Sequence, residues 1–134
     1  MADMIELEVA TPERELVREP VSEVQVPGAK GYLGILPGHA PLLSLLGAGA
    51  LSFLVAGKRK VLAVQGGFLE VLPEHVRVLA NVAERGEEID LAKARAELAA
   101  AQEQLNNLGD RDPESALDRV ALAQARVDAA EQKP

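Results

Sequence analysis

The sequence has no cysteine, which excludes disulfides, thiolate catalysis and cysteine-ligated zinc. It has no tryptophan either, and only Tyr32, Phe53 and Phe68 carry a benzenoid ring. A core in this chain must therefore be built from Val, Leu, Ile and Ala. Nucleic-acid bases would find almost no platform on which to stack. Positive charge is also scarce, with 14 Lys and Arg against 21 Asp and Glu and a net charge of −7. Phosphate backbones need the opposite balance, so nucleic acid is excluded as the main partner. No long apolar run is present: residues 40–55 come nearest, but Pro41, Ser44, Gly47, Gly49 and Ser52 interrupt them, so no membrane span is expected. Met1 to Val9 carries three acids and no basic stretch, so a signal peptide is not expected there. With two histidines, His39 and His75, no nucleophile–base pair, carboxylate dyad or metal cluster stands at a credible spacing.

What is present divides the chain near Gly86. Ten of the eleven glycines lie at or before that residue, with six of the eight prolines, among β-branched residues that alternate with polar ones. Ile5 to Val9 alternates strictly, as a half-buried strand should. Val24 to Val26 ends at the turn pair Pro27-Gly28. Leu51–Val55 and Val61–Val64 flank a polar loop, Ala56 to Lys60, and predict a hairpin. Phe68–Leu72 and Val76–Val82 predict a second one around Pro73-Glu74-His75. Many short strands separated by turns point to an all-β sandwich or barrel. Gly66-Gly67 is no phosphate cradle, because neither a Lys-Ser/Thr pair nor a helix follows it. The pair predicts a strand entry or a bulge.

Beyond Gly86 the period changes to that of a helix. Leu91, Ala94, Leu98, Ala101, Leu105 and Leu108 form one apolar stripe. Asn106 to Asp110 breaks it, with Gly109 as the expected C-terminal cap. Asp112-Pro113-Glu114 then starts a second helix, with an acid at the N-cap and proline at the first helical position. Its stripe is Ala116, Val120, Ala123, Val127 and Ala130. So short a connection predicts an antiparallel hairpin. Alanine-rich seams bury little area at roughly 25 cal/mol per Å², while the composition favours helix throughout. The helices are expected to persist even where the hairpin opens.

The most specific stretch runs from Val26 to Leu43: Val-Pro-Gly-Ala-Lys-Gly-Tyr-Leu-Gly-Ile-Leu-Pro-Gly-His-Ala-Pro-Leu-Leu. It resembles the signature of the epsilon-subunit family of F-type ATP synthases. Thr11-Pro12, Gly66 to Val71, Val78-Leu79-Ala80, Ala83-Glu84 and Ile89-Asp90 match in register. The resemblance is dense over residues 4 to 96 and architectural beyond. It implies a two-sheet antiparallel β-sandwich, residues 1–86, followed by a C-terminal antiparallel two-helix hairpin, residues 87–134. It further implies a non-catalytic rotor subunit of a proton-translocating synthase. The sandwich is expected to dock on the gamma subunit and the membrane rotor ring. The mobile arm is expected to reach the alpha and beta subunits and restrain ATP hydrolysis. Membrane association then goes only through the complex, at the cytoplasmic face of a bacterial plasma membrane.

The same resemblance implies the sites. Lys30, Gly31, Tyr32, Gly34, His39 and Pro41 form the contact loop toward gamma and the rotor ring. Relatives often carry acids there, and Lys30 and Tyr32 depart from that. His39 also reads simply as a turn histidine, and Asp90 as an N-cap. No cofactor is required. A regulatory ATP is implied at Ile89, Asp90, Lys93, Ala94 and Arg126, but Lys93 replaces the family's arginine and lacks its planar bidentate fork. Arg119 and Arg126, seven residues apart on one helix, are the implied contacts to the beta subunit. The arm from Glu87 onward carries eleven acids and six bases, which does not favour an acidic partner. A free-standing ligand-binding sandwich, or an enzyme built on His39 or His75, are the rival readings from the residues alone.

Overall fold

A computed structural model describes residues 4–109 and 112–132. Eight strands come first: β1 (Ile5–Ala10), β2 (Glu15–Val21), β3 (Glu23–Gly28), β4 (Gly31–Ile35), β5 (Leu42–Leu45), β6 (Ala48–Val55), β7 (Lys58–Leu72) and β8 (His75–Arg85). A 3-10 turn, Gly86–Glu88, leads to helices α1 (Leu91–Asn106) and α2 (Pro113–Glu131). Hydrogen bonding runs in the order β2-β1-β8-β7-β6-β3-β4, with β5 joined to β7. β1 and β8 are parallel and the other pairs are antiparallel.

The 15-residue β7 makes two layers out of this continuous ladder. Its first half, up to Gln65, pairs with β6, and its second half, from Phe68, pairs with β5. Between the halves Gly66 and Gly67 both have positive φ, 71° and 104°, a region closed to most side chains. A Cβ on Gly67 would stand 2.0 Å from the Leu79 carbonyl oxygen. The pairing with β8 continues in one register from Leu62↔Arg85 to Leu72↔His75. The glycine pair is thus a bend inside a strand, and neither a bulge nor a strand entry.

Side chains from both layers fill one core. Ile5, Leu7 and Val9 of β1 are fully buried, as strict alternation requires. They belong to one hydrophobic cluster with Val24, Val26, Leu51, Phe53, Val64, Leu69 and Val78. Truncating one such side chain to alanine costs about 2–5 kcal/mol. The β6–β7 connection is tighter than expected, because Lys58 to Lys60 lie in the strand. The turn is only Ala56-Gly57, both with positive φ, the geometry that matches strand twist in two-residue hairpins.

The helices pair antiparallel: Arg119 meets Gln104, Arg126 meets Glu97 and Arg95 meets Glu131. α2 lies between α1 and the outer face of β6 and β7. That position explains an asymmetry in burial. α1 shields only residues of the expected stripe, with Ala94 and Ala101 buried and Leu91, Leu98 and Leu105 half-buried; Leu108, also half-buried, follows the helix. α2 buries its expected stripe except for the half-buried Val120, and also Ala125 and Ala129, because it has two partners. Asp90 caps α1 by accepting from the Lys93 amide at 3.2 Å, and Asp112 caps α2 through Glu114 at 3.0 Å. At the other end of α1 the C-cap is Asn107, not Gly109. Gly109 lies two residues further on with φ 63°, and Asp110 of the expected break is outside the described residues.

Candidate functional site: an apolar sheet edge beside a docked arm

In the layer containing β5, the second half of β7, β8, β1 and β2, outward-facing residues align in rows across the strands. One row is Leu45, Phe68 and Leu79, continuing to Ala10. The next is Leu43, Glu70, Arg77, Glu8 and Arg18. The β1 end of this row is a charge ladder, with Glu8 accepting from Arg77 at 3.1 Å and from Arg18 at 3.2 Å. Burial pushes Glu8 up, but the Arg77 bond and the nearby positive charges win and hold its carboxyl below the usual range. The β5 end is apolar and open to solvent: Leu43 is 72% exposed, Leu45 66% and Phe68 49%. Clustered exposure of this kind marks an interaction surface.

The six expected contact residues bracket β5 without forming this face. Lys30 sits in the β3–β4 turn, where the Ala29 amide donates to the Leu45 carbonyl at 3.0 Å, beside the end of β5. Gly31, Tyr32 and Gly34 lie in edge strand β4, so this part of the expected contact loop is a β3–β4 hairpin. Tyr32 is exposed, and its hydroxyl accepts from the Ala50 amide at 2.9 Å. His39 and Pro41 lie in the crossover to the start of β5. There His39 Nδ1 donates to the Ala40 carbonyl at 2.7 Å, and the Gly38 amide bonds the Pro73 carbonyl at 2.8 Å.

The second constellation lies where the arm meets the sandwich. Ile89 and Ala94 are buried in a small cluster with Val127, Ala129 and Ala130. Asp90 and Lys93 face solvent. Arg126 is the pin of the junction. Its Nε donates to Glu84 of β8 at 2.8 Å and its Nη1 to Glu97 of α1 at 2.5 Å. Burial opposes the guanidinium charge, but these two carboxylates outweigh it and raise its affinity for the proton. Arg126 is thus committed to carboxylates, and an incoming phosphate would have to displace them. Arg119 bonds the neutral Gln104 at 2.7 Å. Arg126→Ala leaves Glu84 and Glu97 without their shared cation. For a partly exposed network the loss is about 1 kcal/mol. Amide exchange in the last turns of α2 is expected to speed up several-fold while exchange in β1 stays unchanged.

A second tie holds the 3-10 turn to the β1–β2 connection. Glu88 accepts a bidentate pair from Arg14, the Nη2 bond measuring 2.9 Å, and also accepts from the Arg85 amide at 2.8 Å. The Arg14 hydrogen bond leads in lowering its pKa from 4.5 to about 2, with burial opposing and the Arg85 amide assisting. A depressed carboxyl stabilises the fold above its ordinary pKa and loses that contribution as pH falls through the folded one. The tie is therefore expected to be intact above pH 5 and to weaken between about pH 4.5 and 2. Glu88→Gln should flatten that part of a stability–pH curve recorded by thermal melts.

Residues 4–86 match the family model for the β-sandwich domain of the ATP synthase Delta/Epsilon chain. Over 134 residues the chain is 60% identical to the ATP synthase epsilon chain of Solibacter usitatus (strain Ellin6076), covering 99% of this chain and all of that one. The chain belongs to the ATP synthase epsilon chain family. A second relative, the epsilon chain of Carboxydothermus hydrogenoformans, is 53% identical over 105 residues, covering 78% of each chain. Among solved structures, a chain in the Euglena gracilis mitochondrial ATP synthase OSCP/F1/c-ring assembly superposes with a TM-score of 0.76 at 23% identity. It covers 98% of this chain and 83% of that one. A chain of the Tetrahymena thermophila central stalk/c-ring assembly gives 0.61 at 19%, covering 92% and 96%. At these identities the likeness is one of fold.

Reading the epsilon-family motif along the chain found the loops around β5 and missed the face that β5 helps build. Leu43, Leu45, Phe68 and Leu79 come from three strands and meet only through register. Phe68, one of only three benzenoid residues and directly after Gly66-Gly67, is the one local signal of that face. Glu84 and Glu97, the partners of Arg126, are separated from it by 42 and 29 residues and have no local signature.

Proposed function

We propose that this chain is a non-catalytic rotor subunit of a proton-translocating ATP synthase. Residues 1–86 dock on the gamma subunit and the membrane rotor ring, and residues 87–134 form a regulatory arm. The observation that carries this reading is the exposed apolar face of β5, β7 and β8 in a member of the epsilon chain family. Lys30, Gly31, Tyr32, Gly34, His39 and Pro41 frame that face and extend the contact. The chain reaches the cytoplasmic face of a bacterial plasma membrane through its partners. Among the described residues no helix is long and apolar enough to cross a membrane. The histidines support a non-catalytic role. His39 is tied to its own turn, and His75 Nε2 stands 3.7 Å from a Glu8 already held by two arginines.

The arm is compact here, and its release lets Arg119 and Arg126 reach the alpha and beta subunits and restrain hydrolysis. A nucleotide at Ile89, Asp90, Lys93, Ala94 and Arg126 has weak support. Two of the five are buried in the junction and Arg126 already bonds two carboxylates. Deleting residues 87–134 tests the regulatory half of the reading. The truncated chain is expected to assemble normally and to raise ATP hydrolysis by the complex several-fold. Unchanged hydrolysis in a fully assembled complex would remove the arm's restraining role.

A further inference from the structure

A cavity of about 860 Å³ lies apart from the apolar face, none of whose residues Leu43, Leu45, Phe68 and Leu79 lines it, and its volume is within the size range of small-molecule sites. It opens between β2, the β6–β7 hairpin and the C-terminal end of α2. β7 pairs with β8 only from Leu62 onward, so Lys58 to Val61 have a partner strand, β6, on one side alone. The buried side chains of Leu16, Val17, Phe53 and Leu62 line its apolar part.

Four cations stand around that lining, Lys58, Arg59, Lys60 and Arg85, against the acids Glu19 and Glu87. Lys58-Arg59-Lys60 is the only run of three bases in this acidic chain. Arg59 is fixed in place by Ser52 Oγ at 2.9 Å and paired with Glu23 at 3.4 Å, and Arg85 is fixed by the Leu16 carbonyl at 2.9 Å. Lys60 reaches Glu19 only at 3.9 Å, and Lys58 has no ion-pair partner among the described residues. Lysines on a free strand edge also deter edge-to-edge pairing. That role, however, calls for neither an apolar lining nor the two fixed arginines.

We infer that this cavity binds an anion with an apolar body, a carboxylate or phosphate headed by Lys58 and Lys60 with its apolar part against Leu16 and Phe53. Gly86, Glu87, Ala129 and Gln132 form the arm's side of the same cavity. A bound ligand therefore touches sandwich and arm together and favours the docked arm, since a ligand shifts an equilibrium toward the state it contacts more fully. The site is separate from the helix-start residues Asp90 and Lys93, which are absent from its lining.

The test is an amide-shift titration of the full chain with decanoate, kept below its micelle concentration, with decyltrimethylammonium as the cation of matched tail. Decanoate is expected to shift amides of residues 53–62 and 85–87 saturably. It should bind about tenfold more weakly to Lys58→Ala/Lys60→Ala and slow exchange in the last turn of α2. Phosphatidylglycerol vesicles that perturb the same amides would identify a lipid headgroup as the source. Vesicles without effect, beside a positive decanoate titration, would identify a free anion. Equal shifts from the cation, wild-type affinity in the double variant, or shifts confined to residues 43–45 and 68 would overturn the site. Unchanged exchange in α2 would overturn the link to the arm.

Discussion

Replacing Leu45 and Phe68 together by aspartate is expected to weaken binding to the gamma subunit and rotor ring by on the order of a thousandfold. The two side chains oppose each other across β5 and β7 and project away from the core. In an apolar contact, central residues of this size contribute about 2–4 kcal/mol each. A carboxylate there loses that contribution and must also be desolvated. The folded chain alone should tolerate the change, because both positions are exposed and neither belongs to the core cluster. Surface plasmon resonance on immobilised gamma, beside a thermal melt of the isolated variant, separates the two effects. Wild-type affinity from a folded double variant would move the docking surface elsewhere.

Gly86→Ala is expected to undock the arm without unfolding the sandwich. Gly86 does not have the left-handed φ that would make alanine costly, so the effect comes from space alone. An added Cβ would lie 2.0 Å from the Ala129 carbonyl oxygen and 2.8 Å from its carbon. Both atoms are main chain in α2 and cannot rotate aside. Helix and turn must separate, exposing part of the cluster of Ile89, Ala94, Val127, Ala129 and Ala130. Overpacking of this sort costs about 1–3 kcal/mol, which the small alanine seam cannot absorb. The equilibrium constant for docking should fall by about tenfold or more, and the docked fraction with it. Energy transfer between a label on β1 and one on α2 reads that fraction directly. Helical circular dichroism should hold near the wild-type value, because helix propensity remains after docking is lost. A variant with unchanged energy transfer would show that the close approach at Ala129 is not what holds the arm.

The parts of the fold legible in the sequence were those with an unbroken period. β1 alternates, and its buried residues were evident. The α1 stripe is read correctly from Leu91 to Leu105, because that helix has one partner, while Leu108 lies beyond the helix end at Asn106. α2 has two, so Ala125 and Ala129 fall outside the single expected stripe although they are buried. β2 escaped because Leu16 and Val17 are adjacent and both buried, which erases alternation, and because Pro20 argues against a strand except at a sheet edge, where β2 lies. β5 escaped because its leucines point outward, so its pattern is that of a surface for a partner rather than of a core strand. The family motif named residues flanking that surface. Leu43, Leu45, Phe68 and Leu79 meet only through the β5–β7 and β7–β8 registers, and no local spacing announces them. The same holds for the Arg126 pin, whose carboxylates arrive from two other elements.

Membership of a rotary synthase is tested by isolating the tagged chain from gently solubilised membranes of its source, with the co-purifying proteins identified and counted. One copy of the chain is expected in an intact rotary ATP synthase, retained through gamma and the rotor ring and lost with Leu45→Asp/Phe68→Asp. Recovery of the chain alone, under conditions that keep the synthase whole, would contradict it.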